Sequence, residues 1–315
     1  MESPQNLKKR LKSVHNINQI TKAMELVSAT KMRKSQQIAL DSRPYAFAAL
    51  DLLANVSLIE KELPELLKHR KNIKNVLFVL VTSDKGLAGA FNSSVFKKFE
   101  AHIKRDEEKY AKEEKLFVAV GEKSFVYLLK KGFKVIKKFV QAGDYTAPEQ
   151  VNPLADYIVD GYLEKKWDRV VIVSTHFKSA LKQEPHIRRF LPIDFDHIAD
   201  AVRAIVPERG KFADLMKEHG VNFVPSRNRG KEYLIEPSPK KVLEKLVRHL
   251  CFMEMYHLVL EANASEHSAR RLAMKTASDN AQDLGDTLNL QYNKSRQSRI
   301  TTEISEISAG AEALN

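Results

Sequence analysis

The last 76 residues of the chain, Lys240 to Asn315, contain no proline and have glycine only at positions 285 and 310. Read as one helix, this stretch would extend about 114 Å at 1.5 Å per residue. A compact domain of roughly 165 residues has a radius of gyration of about 15 Å and is only about 40 Å across. Such a helix must therefore project beyond any globular body the chain can build. Its apolar positions, Ala277, Ala281, Leu284, Leu288, Ile300, Ile304, Ile307, Ala311 and Leu314, recur at near-heptad spacing and need a covering surface. The N-terminal segment follows the same pattern. Leu7, Leu11, Val14, Ile17, Ile20, Met24 and Val27 recur every three or four residues, and Ser3-Pro4 reads as a cap followed by a first turn. The nearest cover for each stripe is the other, which predicts an antiparallel coiled coil. Ala269, Ala273, Ala277 and Ala281 would let the two helices approach closely.

Between these helices the periodicity changes. VLFVLV (76–81), LFVAV (116–120), KVIKKFV (134–140) and RVVIV (169–173) are short apolar runs, separated by helix-like stretches at about 93–112, 122–131 and 149–166. Apolar strands alternating with helices predict a mostly parallel sheet covered on both faces. HIRRFLPI (186–193) reads as an edge strand. The expected fold class is α/β: a long antiparallel coiled coil of N- and C-terminal helices plus a domain with a mostly parallel sheet. The expected boundaries are 1–60 for the N-terminal helix, 73–194 for the α/β domain, 195–235 for an insertion or connection, and 238–315 for the C-terminal helix.

The segment VTSDKGLAGAFN (81–92) occupies the place where nucleotide-binding folds keep a phosphate loop. It matches neither G-x-G-x-x-G nor G-x-x-x-x-G-K-[ST]. The alternative is a tight strand-to-helix turn with Asn92 or Ser93 as the helix cap. A nucleotide-dependent enzyme would need an acidic ribose-binding residue at the end of the second strand, where Glu122 stands, and a catalytic group in the crevice. No His or Cys is paired with it in that region.

The net charge of +12 points to an acidic partner, with basic residues crowding the first 36 positions. That stretch has no aromatic side chains for base stacking, which weighs against a nucleic-acid-binding coiled coil. A single cysteine, Cys251, excludes an intrachain disulfide and any switch that works through a cysteine pair. No apolar run approaches the roughly 18–20 residues needed to span a bilayer, and MESPQNLKKR has no secretory h-region, so the chain is expected to stay in the compartment where it is made.

Five groups of motifs then carry a resemblance. ITKAMELVSATKMRKSQ (20–36) with SRPYA (42–46), TSDKGLAGAFN (82–92), EPSPKKVL (236–243), ASEHSARRLAMKTASDNA (264–281) and YNKSRQSRITTEISEISAGAEAL (292–314) resemble the signature segments of the gamma subunit of the F-type ATP synthase. The resemblance implies a non-catalytic central rotor shaft whose α/β domain is Rossmann-like and carries no nucleotide or other cofactor. It implies as partners the alpha and beta subunits of the catalytic hexamer, the epsilon subunit and the c-subunit ring, with no nucleic acid and no insertion into the membrane. The place implied is peripheral, on the cytoplasmic face of a bacterial inner membrane or the matrix or stromal face of an organelle membrane. By the same resemblance Arg296, Gln297 and Thr301 would engage a beta loop, and Met24 would pack near the collar's lower rim. Lys22, Lys31, Arg33 and Lys34 would face acidic beta loops, while Tyr233 and Glu236 would meet the c ring. The nearly chargeless ending ISAGAEALN suggests a rod end seated in an apolar sleeve.

Overall fold

The computed structural model of the chain describes residues 3–41, 64–109, 113–140, 147–193 and 235–312, together with positions 49, 52, 56 and 62. Most of 42–63, the 195–229 excursion and Tyr233 therefore lie outside the described residues. The chain forms two compact units, Met1–Ser28 with Arg270–Asn315, and Ala29–Ala269. Helices α1 (Pro4–Asp41) and α5 (Pro239–Glu312) supply residues to both.

In the first unit α1 and α5 run antiparallel. Asn18 Nδ2 donates to Gln282 Oε1 at 2.8 Å, Ser278 Oγ donates to Asn18 Oδ1 at 2.6 Å, and a Cβ on Gly285 would lie 3.8 Å from the Val14 methyl. The α1 seam runs through Leu7, Leu11, Val14, Asn18 and Thr21 at strict heptad spacing, and the α5 seam through Met274, Ser278, Ala281, Gly285 and Leu288. This corrects part of the apolar stripe read from the sequence. Leu7, Leu11 and Val14 lie on the seam, but Ile17, Ile20 and Val27 are 51%, 59% and 54% exposed, as is Leu284 at 45%. The reason is close packing: Ser278, Ala281 and Gly285 are small enough to bring the helices together, and that contact selects Asn18 and Thr21 rather than their apolar neighbours. A polar pair inside such a seam fixes its register. Carried back to Pro4, the register ends near Arg296, so α5 continues alone for about 16 residues, roughly 24 Å.

The second unit is built on a five-stranded sheet ordered β3-β2-β1-β4-β5. Strands β1 (Asn75–Val81), β2 (Glu114–Val120), β3 (Val135–Phe139) and β4 (Arg169–Phe177) are parallel, and β5 (Gln183–Leu191) is the antiparallel edge. Period-two alternation divides each apolar run between two cores. Leu77, Val79 and Val81 face α4 (Pro148–Leu163) and the α5 stretch Leu250–Ala262, whereas Val76, Phe78 and Leu80 face α2 (Phe91–Lys109) and α3 (Glu122–Lys130). Every residue of β1 after Asn75 is buried, which is why the run carries no polar residue.

The start of β1 and β4 is tied by Asp168. Its carboxylate accepts from Arg70 at 3.0 Å, from the Lys74 amide at 2.9 Å and from the Asn75 amide at 3.2 Å. Arg70 also donates to the carbonyls of Tyr162 and Trp167 and lies 4.2 Å from the Tyr162 ring centre. Burial pushes the Asp168 carboxyl up, but the two amides and then Arg70 outweigh it and hold the group below its ordinary value. A depressed carboxyl contributes stability above its unfolded value of about 3.9 and loses it as pH falls through the folded value. Asp168→Ala is expected to cost about 2–4 kcal/mol at neutral pH. In melting experiments, Asp168→Asn should show a shallower decline below about pH 4 than the parent, because the acid-labile contribution is gone.

Candidate functional site

At the carboxyl ends of β1 and β2 the loop after β1 meets the start of α3. The first three amides of α3 are taken: Glu122 N donates to Asp84 Oδ1 at 3.0 Å, Lys123 N to the Ser83 carbonyl at 3.1 Å, and Ser124 N to Thr82 Oγ1 at 2.8 Å. Bonded in this way, the α3 amides are not open to an anion. The TSD triplet is thus a cap for a helix that begins some forty residues later. Gly121 permits the approach, with φ +95, because a Cβ there would lie 2.2 Å from the Thr82 carbonyl oxygen. Glu122 pairs with Lys138 at 2.6 Å.

Neither Asn92 nor Ser93 caps α2, contrary to the expected turn chemistry. Asn92 Oδ1 accepts from the Ser83 amide and its Nδ2 donates to Ser83 Oγ at 2.7 Å, while Ser93 Oγ donates to the Ala90 carbonyl. Asn92 therefore braces the loop rather than the helix. The loop presents Leu87 in the left-handed region, φ 63, with 62% of its surface exposed. A bulky side chain held there costs about 1–2 kcal/mol and gains little burial within this chain, the usual mark of a contact surface.

Helices α1 and α5 carry most of the other singled-out residues. On α1, Lys22, Arg33 and Lys34 are exposed, Met24 and Lys31 are half-buried, and Lys22 pairs with Glu25 at 3.0 Å. Ile17, Ile20 and Val27, displaced from the seam, form an exposed apolar row beside Met24, which the sequence pattern had assigned to the core. Along the same coil lies a groove of about 780 Å³ lined by Lys8, Lys12 and His15 of α1 and by Gly285, Asp286 and Asn289 of α5. On α5, Arg296, Gln297 and Thr301 are exposed on the part that outruns α1, where Ile300, Ile304 and Ile307 are 46%, 62% and 73% exposed. A lone helix of this length is marginal in water, so an apolar row on it calls for a partner. Glu236 is exposed just before α5.

Deep in the second unit, α5 is buried from Met253 to Ser268 although it carries Glu254, His257, Glu261, Glu266 and His267. Burial pushes the Glu254 carboxyl up to about 7, with Arg188 of β5 acting against it. His186 is pushed down to about 4 by burial and then by Arg188 and His176. Among the described residues no group of His, Cys, Asp or Glu is arranged to hold a metal, and no helix is long and apolar enough to cross a membrane.

Comparison with known proteins places these features in context. The profile of the family described as ATP synthase matches residues 3–314. An ATP synthase gamma chain from Roseiflexus castenholzii is 35% identical over 316 aligned positions, covering 100% of this chain and 99% of that one. One from Bdellovibrio bacteriovorus is 34% identical with the same coverage. Among solved structures, a chain of the Euglena gracilis mitochondrial ATP synthase, in its OSCP/F1/c-ring portion, superposes with a TM-score of 0.59 at 17% identity, covering 99% of this chain and 94% of that one. A chain of the central stalk and c ring of the Tetrahymena thermophila mitochondrial ATP synthase gives 0.53 at 22% identity, covering 82% and 99%.

Proposed function

Because the chain belongs to the ATP synthase gamma-chain family, a non-catalytic rotor component, we propose that it couples ion-driven rotation of a membrane c ring to conformational change in the catalytic beta subunits. The observation that carries this reading is α5: a helix of 74 residues whose last turns run on without α1 and expose an isoleucine row. Seated in a collar of alpha and beta subunits, that row would be covered and the helix ordered.

The coupling has a simple physical basis. An asymmetric rod in a pseudo-threefold collar favours a different conformation in each beta subunit at each angle, so rotation changes the three nucleotide affinities in turn. Arg296, Gln297 and Thr301 supply the polar contacts with beta, and Lys22, Met24, Lys31, Arg33 and Lys34 a second set lower on α1. Tyr233 and Glu236 serve as the foot on the c ring, and the α/β unit also holds epsilon. The complex is peripheral to the membrane, on the cytoplasmic face in a bacterium.

Tagging the chain in its host and purifying it gently should recover the alpha, beta and epsilon subunits. Recovery of none of them would sink the rotor reading. The isolated chain should release no heat on titration with ATP, since the turn at 81–92 lacks the lysine and third glycine of a phosphate cradle.

A further inference from the structure

The hairpin joining β4 and β5 does more than reverse the chain. Its turn is self-closed, with Ser179 N donating to the Lys182 carbonyl at 3.0 Å and the Lys182 amide to Ser179 Oγ at 3.1 Å. From this rigid turn it grips α5 at two points on one helix face. His176 Nδ1 pairs with Glu261 Oε1, which also accepts from the Phe177 amide at 3.3 Å. Two helical turns further on, Ser268 Oγ donates to the Ala180 carbonyl at 2.7 Å and accepts from Gln183 Nε2 at 3.3 Å. Between the two points Phe177 packs on Ala264 of α5 and Met32 of α1, all three buried.

Much of the contact between α5 and the sheet is apolar, through Met255, Leu258, Val259 and Ala262 against Val170, Ile172 and Leu191. Apolar contact resists separation but has no direction, so it opposes sliding or twisting of the helix weakly. Hydrogen bonds weaken steeply with misalignment, so buried ones resist the motions that apolar contact permits. We propose that the β4–β5 hairpin is the clamp that transmits load between the sheet and α5, with His176, Glu261 and Ser268 as its positioning residues. This rests on the rotor reading, under which the α/β unit receives torque that α5 delivers.

The test uses the assembled complex in sealed vesicles and compares ATP hydrolysis with ATP-driven ion pumping. The double variant Glu261→Leu/Ser268→Ala is expected to assemble, to hydrolyse ATP near the parent rate without a membrane load, and to pump about fivefold fewer ions per ATP, as for the loss of one or two partly buried hydrogen bonds. The exchange His176→Glu/Glu261→His, which restores the pair in reverse, should recover most of the ratio. A purely structural role would lower assembly and hydrolysis together and leave the ratio unchanged. An assembled double variant with the parent ratio overturns the clamp. Should that variant not assemble, Ser268→Ala alone decides, since it removes one hydroxyl, and an unchanged ratio again overturns it. Failure of the rotor reading looks different: the parent chain would be absent from the complex.

Discussion

Replacing Gly121 by alanine is expected to destabilise the α/β unit by roughly 2–6 kcal/mol, enough to leave much of it unfolded at 37 °C. Two costs add at this position. The residue has φ 95 and ψ 149, a region that L side chains rarely enter, and the new Cβ would lie 2.2 Å from the Thr82 carbonyl oxygen and 2.8 Å from its carbon. Those atoms are backbone in the loop that caps α3, and Thr82 N is itself bonded to the Val120 carbonyl at 2.9 Å, so the loop cannot retreat without breaking a ladder bond. Gly132, which ends α3 with φ +74, provides the control because nothing lies within 4 Å of its would-be Cβ. Gly132→Ala pays only the left-handed penalty of about 1 kcal/mol. Chemical denaturation of the two variants beside the parent separates strain from collision. Equal losses would show that the Thr82 loop yields.

Reversing Arg296 to glutamate is expected to lower ATP-driven pumping and ATP synthesis about tenfold or more while leaving assembly and melting near the parent values. The asymmetry follows from where the residue sits. Arg296 is exposed on α5 where α1 comes to its end, so within this chain its charge contributes little, as exposed ion pairs are worth about 0–1 kcal/mol. Against an acidic beta loop, however, the exchange replaces a charge-assisted contact with repulsion worth several kcal/mol. Such a cost felt only at certain rotor angles distorts the rotational profile and slows the whole cycle. Rates in reconstituted vesicles equal to the parent would remove Arg296 from the contact set.

The candidate site was only partly legible in the sequence. Arg296, Gln297, Thr301 and Glu236 were singled out by likeness, and the structure leaves them exposed on or beside α5. The exposed row of Ile17, Ile20 and Val27 was missed because its spacing is that of a seam. One signal was available: Asn18 and Thr21 share a second heptad row with Leu7, Leu11 and Val14, one residue out of step with the apolar row. Leu87 carried no sequence signal, since positive φ at a leucine is imposed by the loop around it. The hairpin clamp was equally hidden, because Glu261 and Ser268 look like solvent-facing helix residues until the helix is surrounded.

By itself the sequence determined what depends on near neighbours along the chain. Helix length follows from the absence of proline after Pro239 and the rarity of glycine across α5, and strand burial on both faces follows from the unbroken apolar run of β1. These are local properties, because a residue's conformational preference and the area it must bury are its own. Only the tertiary structure decided which surface covers which. The α1 seam passes through Asn18 rather than Ile17 because small residues on α5 allow the closest approach there. The TSD loop caps a helix beyond the next strand because parallel pairing of β1 with β2 brings Val81 beside Val120. Hydrophobicity sets how much surface must leave the water, but the choice among partners belongs to packing between segments far apart in the chain, which composition and periodicity do not encode.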